Sequence, residues 1–125
     1  MGRMTLEQAE GVVRAVVVYD GRLLLIPEAD GWGLPSGTPV PAETAPATAA
    51  RIVYETTGYL VDGTEPLEPG RAARETAVVC QLLSESPSDG GRLTADQLRW
   101  APIAETVGLP LPGTVRAYLQ GHTPV

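Results

Sequence analysis

The residues best suited to chemistry in this 125-residue chain lie between Trp32 and Gly58. Five residues separate Gly37 from Glu43 there, and seven separate Glu43 from Arg51. Carboxylates can coordinate a hard cation such as Mg²⁺ or transfer a proton, and an arginine can pair with them. The fixed spacing of charged residues between glycines therefore makes this stretch the first guide to function.

A loop followed by a helix is the structure that this stretch predicts. Pro46 lies near the start of an alanine-rich run, and Gly58 comes directly after its end. Proline is favoured in the first turn of a helix, and glycine is favoured just past the last turn. We therefore predict a helix over Ala45 to Thr57.

The complete spacing resembles the Nudix box, the loop–helix–loop signature of the Nudix hydrolase superfamily. The matching residues are Gly37, Glu43, Arg51, Glu55 and Gly58, and the Trp-x-Leu-Pro ahead of Gly37 also resembles the family. The resemblance covers nearly the whole chain. It implies an α/β fold, the Nudix-like α/β/α sandwich with a mixed β-sheet, the box helix and a C-terminal helix.

Two of the three box carboxylates of the family are replaced in this chain. Ile52 stands where the family has a glutamate after the arginine, and Thr56 stands where it has the second glutamate of a pair, so only Glu55 remains. Residues spaced i, i+3 and i+4 share one side of a helix, and in the family that side holds magnesium against a diphosphate. We therefore expect no required cofactor, and at most weak Mg²⁺ binding through Glu55.

Other residues gain expected roles from the resemblance. Glu43 and Arg51 would form an ion pair that braces the loop against the helix, and Gly58 would end the helix. In many family members an acidic residue lies shortly before an Arg-Trp pair, and Asp96 has that place here. Trp32 could pack in the core or flank a ring of the ligand, and the sequence favours neither. The predicted substrate-binding residues are Trp32, Gly37, Ile52, Thr56 and Asp96.

Composition limits the class of protein and the partners. The chain is 43% hydrophobic and 19% charged, as in ordinary globular proteins, and we expect one Nudix-like domain over residues 1–125 with a flexible segment at 1–10. A net charge of −6 without a basic run argues against a nucleic-acid partner. Lysine, asparagine and phenylalanine are absent, which indicates a GC-rich bacterial genome and excludes a catalytic lysine.

Location is also constrained by the sequence. Cys80 is the single cysteine, so no intramolecular disulfide can form, and we expect a small buried residue there. No apolar run reaches the length that spans a membrane, and the start of the chain lacks the pattern of a signal peptide. A cytoplasmic location without membrane contact is the expectation.

Strands and a second helix are predicted around the box. Val12 to Tyr19 and Arg22 to Ile26 form a hairpin through a type I′ turn at Asp20-Gly21. Arginines on such strands could bind phosphate if they face the cleft, and the candidates are Arg14, Arg22 and Arg74. The other predicted elements are a helical turn at Thr5 to Gln8, a strand from Tyr59 turned by Asp62-Gly63, strands over Arg74 to Ser84 and Leu98 to Trp100, and a helix over Thr114 to Gln120.

Three functions remain open at this point. The first is an atypical Nudix-fold enzyme that acts on a small organic molecule in the family's cleft, with Glu55 as acid or base and little dependence on a Mg²⁺ cluster. The second is a weak Mg²⁺-dependent pyrophosphohydrolase of a nucleoside-diphosphate-linked substrate. The third is a non-catalytic domain that binds a ligand or a partner protein. Dimers are common in the family, so the resemblance also allows a homodimer.

Overall fold

Stretches rich in valine, leucine and isoleucine flank the predicted helix, and the computed structural model arranges them as one sheet. The structure describes residues 11–28, 31–67, 75–84, 86–88, 91–109 and 111–121. The strands are β1 (Val12–Tyr19), β2 (Arg22–Glu28), β3 (Gly31–Gly33), β4 (Ser36–Gly37), β5 (Val61–Pro66), β6 (Glu75–Leu82) and β7 (Arg99–Pro102). The helices are α1 (Ala45–Thr57) and α2 (Gly113–Gln120), and 3₁₀ turns cover Ala95–Gln97 and Ile103–Thr106.

The sheet is mixed, and β1 lies at its centre. The main strand order is β3-β2-β1-β6-β5, with β4 paired to β1 and β7 paired to β2. β1 runs parallel to β6, whereas β1–β2, β1–β4, β2–β3, β2–β7 and β5–β6 are antiparallel pairs. The parallel pair needs a crossover connection, and the chain between β1 and β6 includes α1.

Alternation along β1 divides the core into two layers. Val13, Ala15 and Val17 lie in the cluster that α1 covers, whereas Val16 lies in the cluster that includes Val115 of α2. Successive side chains of a strand point to opposite faces, so a strand with both faces buried must be apolar at nearly every position. The predicted α/β/α sandwich with a mixed sheet is confirmed.

The bounds predicted for α1 are also confirmed, and its ends have identifiable caps. The Thr44 hydroxyl accepts a hydrogen bond from the Ala47 N–H at 3.2 Å, which satisfies one of the free donors of the first turn. Gly58 ends the helix in the left-handed region at φ 84°, and its N–H donates to the Tyr54 carbonyl oxygen at 2.9 Å. Glycine adopts this conformation without the steric penalty of a side chain.

Replacing Gly58 by alanine should lower the free energy of unfolding by at least about 2 kcal/mol, because alanine disfavours this φ and its Cβ would collide with the Ser88 backbone. Gly108→Ala is the matched control, since an added Cβ meets nothing within 4 Å there. Urea denaturation of both variants measures the difference. Equal stabilities for the two alanine variants would contradict the expectation.

One predicted turn is wrong. Asp62 and Gly63 lie inside β5, whose pairing with β6 continues past them with an irregularity between Gly63 and Glu65. A Cβ at Gly63 would lie 2.5 Å from the carbonyl oxygen of Pro46, so the glycine allows the strand to approach α1 closely rather than reversing the chain. Two sequence predictions, the helical turn at Thr5 to Gln8 and the phosphate-binding candidate Arg74, fall outside the described residues.

Two further expectations concern burial and membranes. Cys80 is 3% exposed, and burial raises the pKa of its thiol to about 12, so the group stays protonated at neutral pH. Within the described ranges, no helix has the length and apolar character needed to cross a bilayer.

Candidate functional site

A hydrogen-bonded network joins the loop before α1 to the helix itself. Arg51 Nε donates to Glu43 Oε2 at 2.9 Å, and Arg51 Nη2 donates to Glu43 Oε1 at 3.0 Å. Glu43 Oε1 also accepts from the Thr48 hydroxyl at 2.8 Å and from the Val40 N–H at 3.0 Å. Arg51 Nη2 donates in addition to the carbonyl oxygen of Thr38 at 2.9 Å. The ion pair fixes the loop against the first turns of the helix.

Hydrogen bonds dominate the electrostatics of this network, whose two partners are partly buried. The side chain of Glu43 is 13% exposed and that of Arg51 is 29% exposed. The hydrogen bond from Arg51 is the main cause that lowers the pKa of Glu43 to about 2, with support from Thr48 and Val40 and against the effect of burial. A bidentate arginine–carboxylate pair is among the stronger polar contacts in proteins.

Glu43→Gln should lower the free energy of unfolding at pH 7 by about 1.5–3 kcal/mol, the typical contribution of a hydrogen bond to a charged group. The pKa of Glu43 is lower in the folded chain, about 2, than its ordinary value of 4.5, so this stability is present above pH 4.5 and is lost as the pH falls toward 2. Denaturation at several pH values should show the two proteins converging in acid. A constant difference down to pH 2 would contradict the assignment.

Glu55 extends from the same network toward solvent. Its Oε1 accepts a hydrogen bond from Arg51 Nη1 at 3.2 Å, and its side chain is 61% exposed. The pair is spaced i, i+4 along α1, where side chains of a helix are neighbours. Arg51 therefore contacts both glutamates, and it holds one oxygen of the exposed carboxylate.

Ile52 and Thr56 are buried beside this exposed acid. Ile52 is 5% exposed, and its Cδ1 lies 2.8 Å from the position that a Cβ on Gly37 would occupy. Thr56 is 7% exposed. All three predicted positions lie on α1, but only Glu55 presents its side chain to solvent, and the isoleucine packs directly on the glycine that begins the loop.

The segment after β6 closes over the C-terminal end of α1. The Arg92 N–H donates to the carbonyl oxygen of Glu55 at 2.8 Å, and the Leu93 N–H donates to that of Thr56 at 2.9 Å. These bonds satisfy carbonyls of the last helical turn, which have no partner within the helix. Asp96 follows in an exposed 3₁₀ turn, where its carboxylate accepts a hydrogen bond from the Thr94 hydroxyl.

Trp32 has a partner that the sequence did not indicate. The guanidinium of Arg99 lies over the Trp32 ring at 5.7 Å from its centroid, within the range of a cation–π contact. Arg99 also donates to Glu105 at 3.3 Å, between two exposed side chains. Trp32 is half-buried, so one part of its ring packs on the core and the rest faces outward with Arg99. A sequence separation of 67 residues hides this pair from local patterns.

The comparison with protein families decides the classification. The model of the NUDIX domain matches residues 10–118, which is most of the chain and includes the whole network described above. The chain belongs to the Nudix family. The resemblance of the box region is thereby confirmed at the level of the superfamily.

Solved structures agree with the fold. An ADP-ribose pyrophosphatase from Streptococcus suis is 19% identical with a TM-score of 0.66, and the match covers 94% of each chain. A Nudix hydrolase from Nitrosomonas europaea is 21% identical with a TM-score of 0.64, again over 94% of each chain. A UDP-X diphosphatase is 17% identical with a TM-score of 0.63 over 95% of this chain and 66% of the other. No curated protein sequence matches this Nudix chain.

The expectation of no required cofactor is wrong for a member of this family, because Nudix hydrolases normally need a divalent metal such as Mg²⁺. Among the described residues, no group of three or more histidine, cysteine, aspartate or glutamate side chains is placed to hold such an ion. On α1, Glu55 is the carboxylate that faces solvent. The described residues do not by themselves form a complete metal site; water and substrate oxygens are ligands that Mg²⁺ also accepts.

Proposed function

We propose that this Nudix protein hydrolyses a small molecule that contains a phosphoanhydride, such as a nucleoside diphosphate linked to another group. The reaction would take place beside α1, with Glu55 as the residue that removes a proton from the attacking water. The observation that carries the proposal is the exposed carboxylate of Glu55, held by Arg51 on a helix whose other two box positions are buried.

The network around Arg51 supports a positioned base. One oxygen of Glu55 is bound to Arg51 Nη1, and Arg51 is itself held by Glu43 and by the Thr38 carbonyl. The second oxygen, Oε2, is available to accept a proton from water. Positioned general bases typically accelerate a reaction by about 10²- to 10⁴-fold.

Water, the substrate and Glu55 are sufficient for a balanced hydrolysis of the phosphoanhydride. Water adds its oxygen to one phosphorus, the bond from that phosphorus to the bridging oxygen breaks, and the bridging oxygen leaves on the second product. Glu55 Oε2 takes the proton that the water loses and releases it to solvent afterwards. Mg²⁺ carried on the phosphates of the substrate would neutralise part of their charge.

Trp32 and Arg99 suggest how the rest of such a substrate would be held. Their cation–π pair presents an aromatic surface beside a guanidinium, a combination that suits a ring with a neighbouring phosphate. Trp32 lies five residues before Gly37, on the chain that leads into the loop before α1. We propose that the pair flanks the nucleoside part of the substrate.

The experiment is a screen of the purified protein with ADP-ribose and UDP-sugars in the presence of Mg²⁺ or Mn²⁺. The structural similarity to an ADP-ribose pyrophosphatase and to a UDP-X diphosphatase motivates this choice. Release of two phosphate-bearing products, stimulated by the metal, is the expected result. Absence of turnover for every compound would overturn the proposal.

A non-catalytic binding domain is the second candidate, and one observation favours it. Ile52 is buried against Gly37, so its position supplies no second carboxylate beside Glu55 for catalysis. A compound that raises the melting temperature and remains chemically unchanged on long incubation would select this alternative over hydrolysis.

A further inference from the structure

A cavity lies beside the β1–β2 turn, at the end of β1 far from the loop before α1. It has a volume of about 410 Å³ and opens to solvent on one side, and its lining is Tyr19, Asp20, Arg22, Tyr59, Leu82 and Trp100. Cavities of this size accommodate small molecules.

Strand pairing explains why these side chains meet. Tyr19 pairs directly with Arg22 across the β1–β2 turn, and Trp100 of β7 pairs with Leu24 of β2. Directly paired residues project from the same face of a sheet, and Arg22 and Leu24 are two residues apart on one strand, so they also share that face. The face is the one that α1 covers, because Leu24 belongs to the α1-side core, and Tyr59 follows the end of that helix.

The cavity lies away from the loop before α1, and its nearest lining residue along the chain, Tyr59, follows Glu55 by four residues. Gly37, which contacts Ile52, pairs with Val13 near the start of β1, whereas Tyr19 ends the same strand. Six residues of extended chain span roughly 20 Å. A ligand in the cavity would therefore not touch the loop before α1.

Aromatic rings form two adjoining walls of the cavity. The rings of Tyr59 and Trp100 meet at 83° with centroids 5.5 Å apart, and those of Tyr19 and Trp100 meet at 64° with centroids 6.4 Å apart. Trp100 Nε1 donates to the Tyr59 hydroxyl at 3.2 Å, which fixes their relative orientation. Both are edge contacts that leave the Tyr19 ring exposed and the Trp100 ring partly exposed, and proteins recognise quaternary ammonium ligands through such aromatic surfaces.

Two opposite charges stand beside these rings. Asp20 and Arg22 are exposed on either side of the hairpin turn, and within the described part of the chain neither takes part in an ion pair. The cation–π contact found among the described residues is that of Arg99 with Trp32, so Arg22 does not occupy the aromatic walls. The carboxylate and the guanidinium are thus available to a ligand with both signs of charge.

We propose that this cavity binds a small zwitterion with a quaternary ammonium head and an anionic tail. The head lies against Tyr19, Tyr59 and Trp100, where Asp20 adds a favourable negative charge. The anionic tail pairs with Arg22. This assignment uses each charged and aromatic side chain of the lining.

The test compares glycine betaine with 3,3-dimethylbutanoate, which has the same shape but a carbon in place of the charged nitrogen. Binding is followed in ¹H–¹⁵N spectra through the two indole N–H signals. We expect the Trp100 signal to shift with saturation and the Trp32 signal to stay in place, with affinity for the carbon analogue at least about tenfold lower. Equal affinities, a shift at Trp32 instead, or no saturable binding of betaine would overturn the proposal.

Variants separate the contributions of the walls and the charges. Tyr19→Leu and Asp20→Asn should weaken both betaine and tetramethylammonium, and asparagine tolerates the positive φ of 54° at position 20. Arg22→Gln should weaken betaine but not tetramethylammonium, which lacks an anionic tail. Tyr54→Leu is the matched control, since Tyr54 is an exposed tyrosine outside this cavity. A loss with Tyr54→Leu equal to that with Tyr19→Leu would count against the site.

Discussion

Glu55→Gln is expected to reduce hydrolysis of a phosphoanhydride substrate by about 10²- to 10⁴-fold and to leave folding unchanged. The amide keeps the volume of the side chain and can still accept a hydrogen bond from Arg51, but it cannot take up a proton from water. The exposed position of Glu55 keeps the effect on stability small. The rate constant kcat measured at saturating substrate, together with the melting temperature, tests both parts.

Glu65→Gln is the matched control for this variant, because Glu65 is an exposed glutamate on β5, away from α1's solvent-facing carboxylate. Its kcat should equal that of the unchanged protein. If Glu55→Gln retained full turnover of the same substrate, Glu55 would not be the base, and the proposed chemistry would be lost.

The bounds of α1 could be predicted from the sequence because a single residue marks each end of the helix. Pro46 and Gly58 act through their own backbone preferences, which do not depend on tertiary contacts. The Asp20-Gly21 turn was equally readable, since both residues adopt the positive φ that a type I′ turn requires. Local backbone rules therefore fixed the β1–β2 hairpin and α1.

The same rules failed at Asp62-Gly63 because glycine has more than one structural use. There the missing side chain permits close approach of β5 to Pro46 of α1, a contact between distant segments. The short strands β3 and β4 were also not predicted, since two or three residues carry too little pattern to identify a strand.

Part of the candidate site could be predicted from the sequence. Spacing in the box brought Glu43, Arg51 and Glu55 together, and these three are joined by hydrogen bonds. Contacts between remote segments were not accessible, because nothing local to Trp32 indicates Arg99, and nothing local to Tyr59 indicates Trp100. The assignment of Asp96 as a substrate-binding residue stays a prediction.

The prediction that no cofactor is required was wrong, and Ile52 and Thr56 show why. Ile52 and Thr56 offer no carboxylate oxygen to an ion on this helix. Their presence does not establish that no cofactor is required, because substrate phosphates and water can supply most ligands of Mg²⁺. A count of the protein's carboxylates therefore underestimates the number of ligands available to the ion.

Ile52→Glu combined with Thr56→Glu should convert α1 into a metal-dependent surface. Positions 52 and 56 are buried and lie within one turn of Glu55, so the new carboxylates lose hydration and repel Glu55. The melting temperature therefore falls when no divalent ion is present. Added Mg²⁺ or Mn²⁺ should restore it, since an ion at 100 times its Kd stabilises the folded state by about 2.7 kcal/mol. Hydrolysis stimulated by the metal should rise at least about tenfold, because the ion then no longer depends on the substrate for its binding.

The control is Ile52→Gln with Thr56→Gln, which has the same side-chain volumes without the charges. It tests whether removing the isoleucine from Gly37 is itself enough to alter the reaction, since Ile52 packs directly on that glycine. The glutamine variant should show no response to metal in its melting temperature. Equal gains in hydrolysis for the two variants would mean that relief of packing, rather than carboxylate ligands, limits this site, and a glutamate variant that ignores metal would show that α1 is not the metal-facing surface.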